Sequence, residues 1–358
     1  LPETFGAYVV HEELGSGGMA TVHRAELEGI EGFSKQVALK RMLPQLAMHK
    51  QVVESFVREG RLASFLHHAN IAQTIELGKV DDVYFIAMEL VTGRNLGDIQ
   101  KKCLELGEPL PLELTLNILN QLCDALEYAH DLTDEAGEPL GIIHRDVSPV
   151  NIIVADSGVV KLIDFGIAKA QAAGLKTNTF SVKGKFAYMA PEYAFMNKID
   201  ARADLFAVAV IAYELMSNRT LFTGTDDMDT MLRLRTLVIP KLSQVNPKIP
   251  QEIEDIIMTG LAREPDERWQ RASAMRSALA TVTQRLGKTS TNTALAVGIE
   301  ELFTKQRAAT VPPVTAESSQ VRMEQPPEVK KRRRTWLVGA LLFVVACAGV
   351  GAYLAMAR

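Results

Sequence analysis

About the first 90 residues alternate short apolar runs with glycine-rich turns. The runs AYVVHEEL (7–14), ATVHRAEL (20–27), KQVALKRM (35–42) and DVYFIAMEL (82–90) are β-prone and read as strands. One helix-like stretch, Gln51 to His67, interrupts them. From Gly93 to Arg285 most apolar residues instead recur every three to four positions, the period of an amphipathic helix. The pattern predicts an α+β fold: a small β-rich lobe over residues 8–91, then a larger helical lobe over 92–285.

Beyond that unit the pattern changes twice. TALAVGIEELFTKQR (293–307) keeps helical spacing and predicts a helix packed on the domain, within an extension spanning 286–307. Residues 308–329 are rich in Pro, Glu, Ser, Gln and Val without periodicity and read as flexible linker. The linker region, 308–334, ends in the basic block Lys330, Lys331, Arg332, Arg333 and Arg334. Residues 335–357 then carry no charge over 23 positions. At ~1.5 Å per residue that is a helix of about 34 Å, long enough for a ~30 Å hydrocarbon core. The basic block precedes the run and only Arg358 follows. The expectation is a single transmembrane helix, with residues 1–334 on the cytoplasmic side of the inner membrane and no extracellular sensor. The basic block would meet anionic lipid head groups. Ala348/Ala352 and Gly351/Ala355 have the spacing of small residues that would let two such helices pair as a homodimer.

Composition narrows the function classes. Of the 358 residues, 47% are hydrophobic and 23% charged, as in ordinary globular chains. A net charge of -4 gives no reason to expect nucleic acid as a partner. Cys103, Cys123 and Cys347 have no metal-ligand spacing and make no disulfide framework, so a reducing compartment is expected. The opening LPETFGAYVV lacks the basic and apolar regions of a secretory signal.

The candidate chemistry lies in four places. LGSGGMATVHRA (14–25) sets Gly15, Gly17 and Gly18 in a turn between strand-like runs, where backbone N–H groups can approach phosphate oxygens. VALK ends on Lys40, and Glu59, in the helix-like FVREGRLASFL, supplies the carboxylate a buried cation needs. GIIHRDVSPVNIIV (141–154) gathers His144, Arg145, Asp146 and Asn151, and VVKLIDFGIAK (159–169) adds Asp164. Asn and Asp oxygens suit Mg²⁺. Polar groups flanked by Ile and Val make sense if they converge on a polyphosphate and a metal.

The glycine loop, VALK, HRD with Asn five residues later, DFG, and YMAPE (188–192) occur in the order of the protein-kinase signature set. Over about residues 8–285 the chain resembles bacterial Ser/Thr protein kinases with a C-terminal membrane anchor. That resemblance implies a two-lobed kinase fold using ATP with Mg²⁺ (or Mn²⁺) on protein substrates. Leu14, Gly15, Ser16, Gly17, Gly18 and Val22 would cover ATP. Ala38 and Val22 would pack on adenine, with Met88 as gatekeeper and Glu89 to Val91 offering backbone hydrogen bonds. Lys40, paired with Glu59, would hold the α/β-phosphates. Asp146 would accept the substrate hydroxyl proton, and Asn151 and Asp164 would hold the metal. Glu192 with Arg268, and Asp204 beneath the catalytic loop, would serve the fold. Thr177, Thr179 and Ser181, in the segment after Asp164, would be autophosphorylation sites read by Arg145.

Several positions depart from the family pattern. Ala20 stands where a third glycine is usual, and about eight extra residues near Thr133 to Pro139 precede HRD. Ser148 replaces the lysine that ordinarily reaches the γ-phosphate, and Lys185 stands where threonine is usual. The expectation is an exchange, in which Lys185 restores the cation and Ser148 the hydroxyl. Without it, the alternative is a membrane-tethered pseudokinase scaffold that binds nucleotide without efficient transfer.

Overall fold

The computed structural model describes residues 3–166, 185–196 and 199–305. Strands β1 (Glu3–Phe5), β2 (Tyr8–Ser16), β3 (Ala20–Glu28), β4 (Ser34–Met42), β5 (Thr74–Val80) and β6 (Val83–Glu89) form one antiparallel sheet in the order β1-β2-β3-β4-β6-β5. Helix α1 (Lys50–Ser64) packs on β5 and β6. Alternation in β4 divides the lobe into two small cores. Val37 and Leu39 join Phe5, Tyr8, Phe85 and Ala87 on one face. Met42 joins Ala20, Val52, Phe56 and Ile86 on the α1 face. Lys40 shares the phase of Met42, so it points beneath α1 toward the second lobe. Ala20, the position without the usual glycine, is buried in that inner core.

A small sheet, β7 (Gly93–Asn95), β8 (Ile152–Ala155) and β9 (Val160–Leu162), opens the second lobe. Around it lie α2 (Leu96–Leu106), α3 (Leu112–His130), α4 (Pro191–Met196), α5 (Arg202–Ser217), α6 (Asp227–Thr236), α7 (Leu242–Val245), α8 (Gln251–Gly260), α9 (Ala272–Arg285) and α10 (Asn292–Thr304). After its first residue, α5 is buried on every side, as its nearly unbroken apolar sequence requires. Two acids inside it anchor loops. Glu214 accepts from the Tyr188 hydroxyl (2.6 Å) and the Leu221 N–H (2.9 Å). Asp204 lies under the catalytic loop. Arg268 grips Glu192 bidentately (2.8 and 2.7 Å) and stacks on Phe206, the geometry that makes a buried guanidinium tolerable.

The extra residues near Thr133 to Pro139 form a closed turn. Thr133 bridges Pro139, and the Asp134 carboxylate accepts from the Ala136 and Glu138 N–H groups. Gly137 takes a positive φ of 84°, which glycine meets at no steric cost. Among the described residues no helix is long and apolar enough to cross a membrane. The 335–357 segment lies outside them.

Candidate active site

The site forms where the two lobes meet. Strand register sets its upper wall: Val22 pairs with Lys40, and Ala38 with Met88, so these side chains share one face of the sheet. Above them, β2 and β3 form a hairpin closed by the Gly17 N–H donating to the Ala20 carbonyl (2.9 Å). Gly15 and Gly17 have ordinary φ values, a Cβ on Gly15 would meet nothing within 4 Å, and one on Gly17 only the Ala20 carbonyl oxygen at 3.7 Å. The fold does not require glycine there. Close approach of a ligand to this backbone does explain it. Leu14, half exposed, stands at the edge of the same hairpin, with Ser16 ending β2 and Gly18 in the turn.

Lys40 is the centre of the charge arrangement. Its Nζ donates to Glu59 Oε1 (2.7 Å) and to Asp164 Oδ1 (2.9 Å). Glu59 is 6% exposed, so α1 is held tightly against the cleft. Burial works against the Lys40 ammonium, but the Asp164 and Glu59 carboxylates outweigh it and raise its pKa well above that of an ordinary lysine. Lys40 is therefore a permanent cation.

The catalytic-loop side chains are fixed from behind. His144 is fully buried. Its Nδ1 accepts from the Asp146 N–H (3.2 Å), which leaves Nε2 as the donor to the Ile163 carbonyl (3.1 Å). Its ring packs on buried Phe165, 4.5 Å between centroids. Asn151 Nδ2 donates to the Asp146 carboxylate (2.7 Å) and carbonyl (2.9 Å). The Ile163 N–H donates to the Asn151 carbonyl (2.9 Å), so Asn151 and Asp164 are held side by side. Arg145 and Asp164 both have positive φ, 67° and 54°, a strain that persists only where neighbours over-determine it. Asp204 supplies much of that restraint, accepting from the His144 N–H (2.8 Å), the Arg145 N–H (2.9 Å) and His130 Nε2 (2.9 Å). Burial raises the Asp204 pKa, but these donors prevail and hold it below the usual carboxylate value.

The donor set fits a magnesium ion. Asn151 commits its amide nitrogen to Asp146, which leaves the amide oxygen to meet a cation beside the Asp164 carboxylate. No group of three or more His, Cys, Asp or Glu gathers among the described residues. A cation here would complete its shell with phosphate and water, as Mg²⁺ does.

Other expected residues fall around this centre. Ser148 lines, with Arg145, Asp146, Tyr188, Met189 and Tyr193, a small pocket beneath the catalytic loop. Arg145 Nε is buried there without a hydrogen-bond partner among the described residues. Lys185 begins the turn 185–188; its side chain, like Thr177, Thr179 and Ser181, lies outside the described residues. Glu89 adds a contact that motif spacing does not reveal: its carboxylate accepts from Lys161 Nζ (2.9 Å) on β9, tying the lobes together behind Met88 and Val91.

The motifs, their order and this geometry agree with one family, whose protein kinase domain profile matches residues 8–280. The chain belongs to the protein kinase family. It is 38% identical over 281 residues to the tyrosine-protein kinase MasK of Myxococcus xanthus, covering 78% of this chain and 44% of that protein. It is 33% identical over 276 residues to the serine/threonine-protein kinase PrkC of Bacillus subtilis, covering 77% and 40%. PknL of Mycobacterium tuberculosis, a serine/threonine-protein kinase, is 31% identical over 280 residues, covering 78% and 66%. The chain thus spans less than half the length of MasK and PrkC. The crystal structure of the M. tuberculosis PknI kinase domain superposes with a TM-score of 0.59 at 27% identity, covering 80% of this chain and 98% of that one.

Proposed function

We propose that this chain is a membrane-anchored protein kinase that transfers the γ-phosphate of ATP to serine and threonine hydroxyls of proteins in cytoplasmic signalling. The observation that carries this reading is the double grip on Lys40 by Glu59 and Asp164, with Asn151 holding Asp146 beside it. Lys40 binds the α- and β-phosphates. Asn151 and Asp164 hold Mg²⁺, which when bound neutralises charge on the phosphate oxygens. Asp146 orients the acceptor hydroxyl and takes its proton as the new O–P bond forms. The bond from the γ-phosphorus to the bridging oxygen breaks, and ADP carries the electron pair away.

Three finer parts of the proposal rest on the sequence. Residues 335–357, behind the basic block, anchor the kinase unit to the cytoplasmic face of the membrane. Thr177, Thr179 and Ser181 are acceptors for autophosphorylation, favoured in trans where a membrane concentrates copies. Lys185 supplies the cation that Ser148 does not. Serine and threonine preference is tested by phosphoamino-acid analysis of labelled product; phosphotyrosine alone would overturn it. Phosphopeptide mapping of wild type against Asp146→Asn tests the acceptors. If no phosphate appears at Thr177, Thr179 or Ser181, autophosphorylation of this segment is wrong. Ser148 favours the nucleotide-binding scaffold as a second reading, and ATP binding without transfer would establish it.

A further inference from the structure

Helix α10 lies beyond the residues matched by the kinase profile, yet it touches the small sheet that carries both proposed metal ligands. Asn151 immediately precedes β8, and Asp164 follows β9 by two residues. Both therefore hang from the same end of the β8–β9 hairpin. The opposite end turns at Gly158, whose φ is +78° and where an added Cβ would lie 1.8 Å from the Asn292 carbonyl oxygen. The first residue of α10 is thus seated directly on the turn. Gln121, on α3, joins them. Its Nε2 donates to Asn292 Oδ1 (3.2 Å) and the Gly158 carbonyl (3.2 Å), and its Oε1 accepts from the Val160 N–H (2.9 Å).

The far end of α10 reaches the edge strand of the same sheet. Arg94, paired with Val154 across β7 and β8, stacks its guanidinium 4.7 Å from the centre of the Phe303 ring. Lys102 donates to the Lys305 carbonyl (3.1 Å) beside it. Between these ends Leu295, Ile299 and Leu302 are buried in the core of the lobe. Gly298 lets the helix approach α3 closely, since a Cβ there would lie 2.5 Å from Leu114. The helix grips the sheet at its turn and at its edge.

We propose that α10 is a positioning element for the cation: by clamping the β7–β8–β9 sheet at Gly158 and Arg94, it fixes the placement of Asn151 and Asp164. This inference rests on the reading of those two residues as metal ligands. A helix that only covered the core would stabilise the lobe without altering the metal requirement. The clamp instead couples Phe303 to the behaviour of the hairpin and of the ion.

The test uses the full chain, as wild type, Phe303→Ala and Phe303→Tyr. Amide hydrogen exchange is followed over residues 152–162, and binding of a non-hydrolysable ATP analogue is titrated with MgCl₂. A cation–aromatic contact at an exposed site supports an effect of about two- to fivefold. Phe303→Ala is expected to accelerate exchange in the hairpin and to raise the half-saturating Mg²⁺ by that factor, with metal-free analogue affinity unchanged. Phe303→Tyr restores both. Should Phe303→Ala not fold, Arg94→Gln removes the same contact from an exposed position. Wild-type exchange and an unchanged Mg²⁺ requirement in a folded variant would overturn the clamp. If wild type binds no analogue, the phosphotransfer reading fails instead, and the exchange rates still decide whether the clamp operates.

Discussion

Replacing Glu59 with glutamine isolates the contribution of one charge to the site. The side chain keeps its volume and an acceptor oxygen, but Lys40 loses one of two carboxylates. The side chains of Lys40 and Glu59 are only 15% and 9% exposed, so water cannot substitute. Stranding a buried charge completely costs roughly 3–5 kcal/mol. Here Asp164 remains 2.9 Å from Lys40, so the folding cost is expected to be about 1 kcal/mol, a fall of roughly 2–4 °C in Tm. The effect on transfer is larger. A hydrogen bond to a charged partner contributes roughly 1.5–3 kcal/mol, and each ~1.4 kcal/mol is tenfold in rate. A loss of about 10- to 100-fold in kcat/KM follows. Lys40 then leans wholly on Asp164, which competes with the metal, so the Mg²⁺ requirement also rises. Initial rates against ATP and Mg²⁺, with a melting curve for each protein, check this. A folded Glu59→Gln protein with kcat/KM within about twofold of wild type would show that Glu59 does not support Lys40 in the reaction.

Other consequences are equally concrete. Lys185→Thr should lower transfer by about two orders of magnitude or more, as expected for a charge-stabilising group. Adding Ser148→Lys should recover much of it, and normal rates in the single variant would end the exchange hypothesis. Asp204 has a lowered pKa in the folded state, so its contribution is present above the ordinary carboxylate value of about 4 and is lost as pH falls through the folded value. Asp204→Asn should therefore cost about 2–4 kcal/mol at pH 7 and distinctly less near pH 3. Urea unfolding at both values measures this, and an equal gap at each would contradict it. The full chain should stay in the membrane fraction through an alkaline carbonate wash, whereas a chain ending at residue 329 should be released. Release of both would exclude the anchor.

Much of the fold was legible because its signals are local or periodic. The run KQVALKRM forms the expected strand with Lys40 facing Glu59, and the glycine hairpin lies where its flanking runs put it. Strand β5 was not legible, since its alternation lasts only from Thr74 to Leu77 and reverses phase at Lys79 and Val80. The run from Gly141 reads as β-prone, yet only Ile152–Ala155 pairs there. The preceding residues take loop geometry, with Arg145 at positive φ and Pro149 unable to donate. Contacts between distant polar residues leave no periodic trace at all. Nothing in spacing announces Lys161 to Glu89, His130 to Asp204, or Gln121 joining α3 to the β8–β9 turn. The charged core of the site was legible for a different reason: Lys40, Asp146, Asn151 and Asp164 sit in short motifs whose joint order is far more specific than any one of them.

Together these four residues are expected to move a phosphoryl group. Incubating the purified full chain with γ-labelled ATP, Mg²⁺ and a protein acceptor tests it directly, beside Asp146→Asn and Asp164→Ala prepared in the same way. Label on protein is expected with wild type, and a loss of about a thousandfold or more with either variant, the scale of removing a group essential to positioning or charge stabilisation. Label that persists in both variants, or a wild type that binds ATP and transfers nothing, would contradict it.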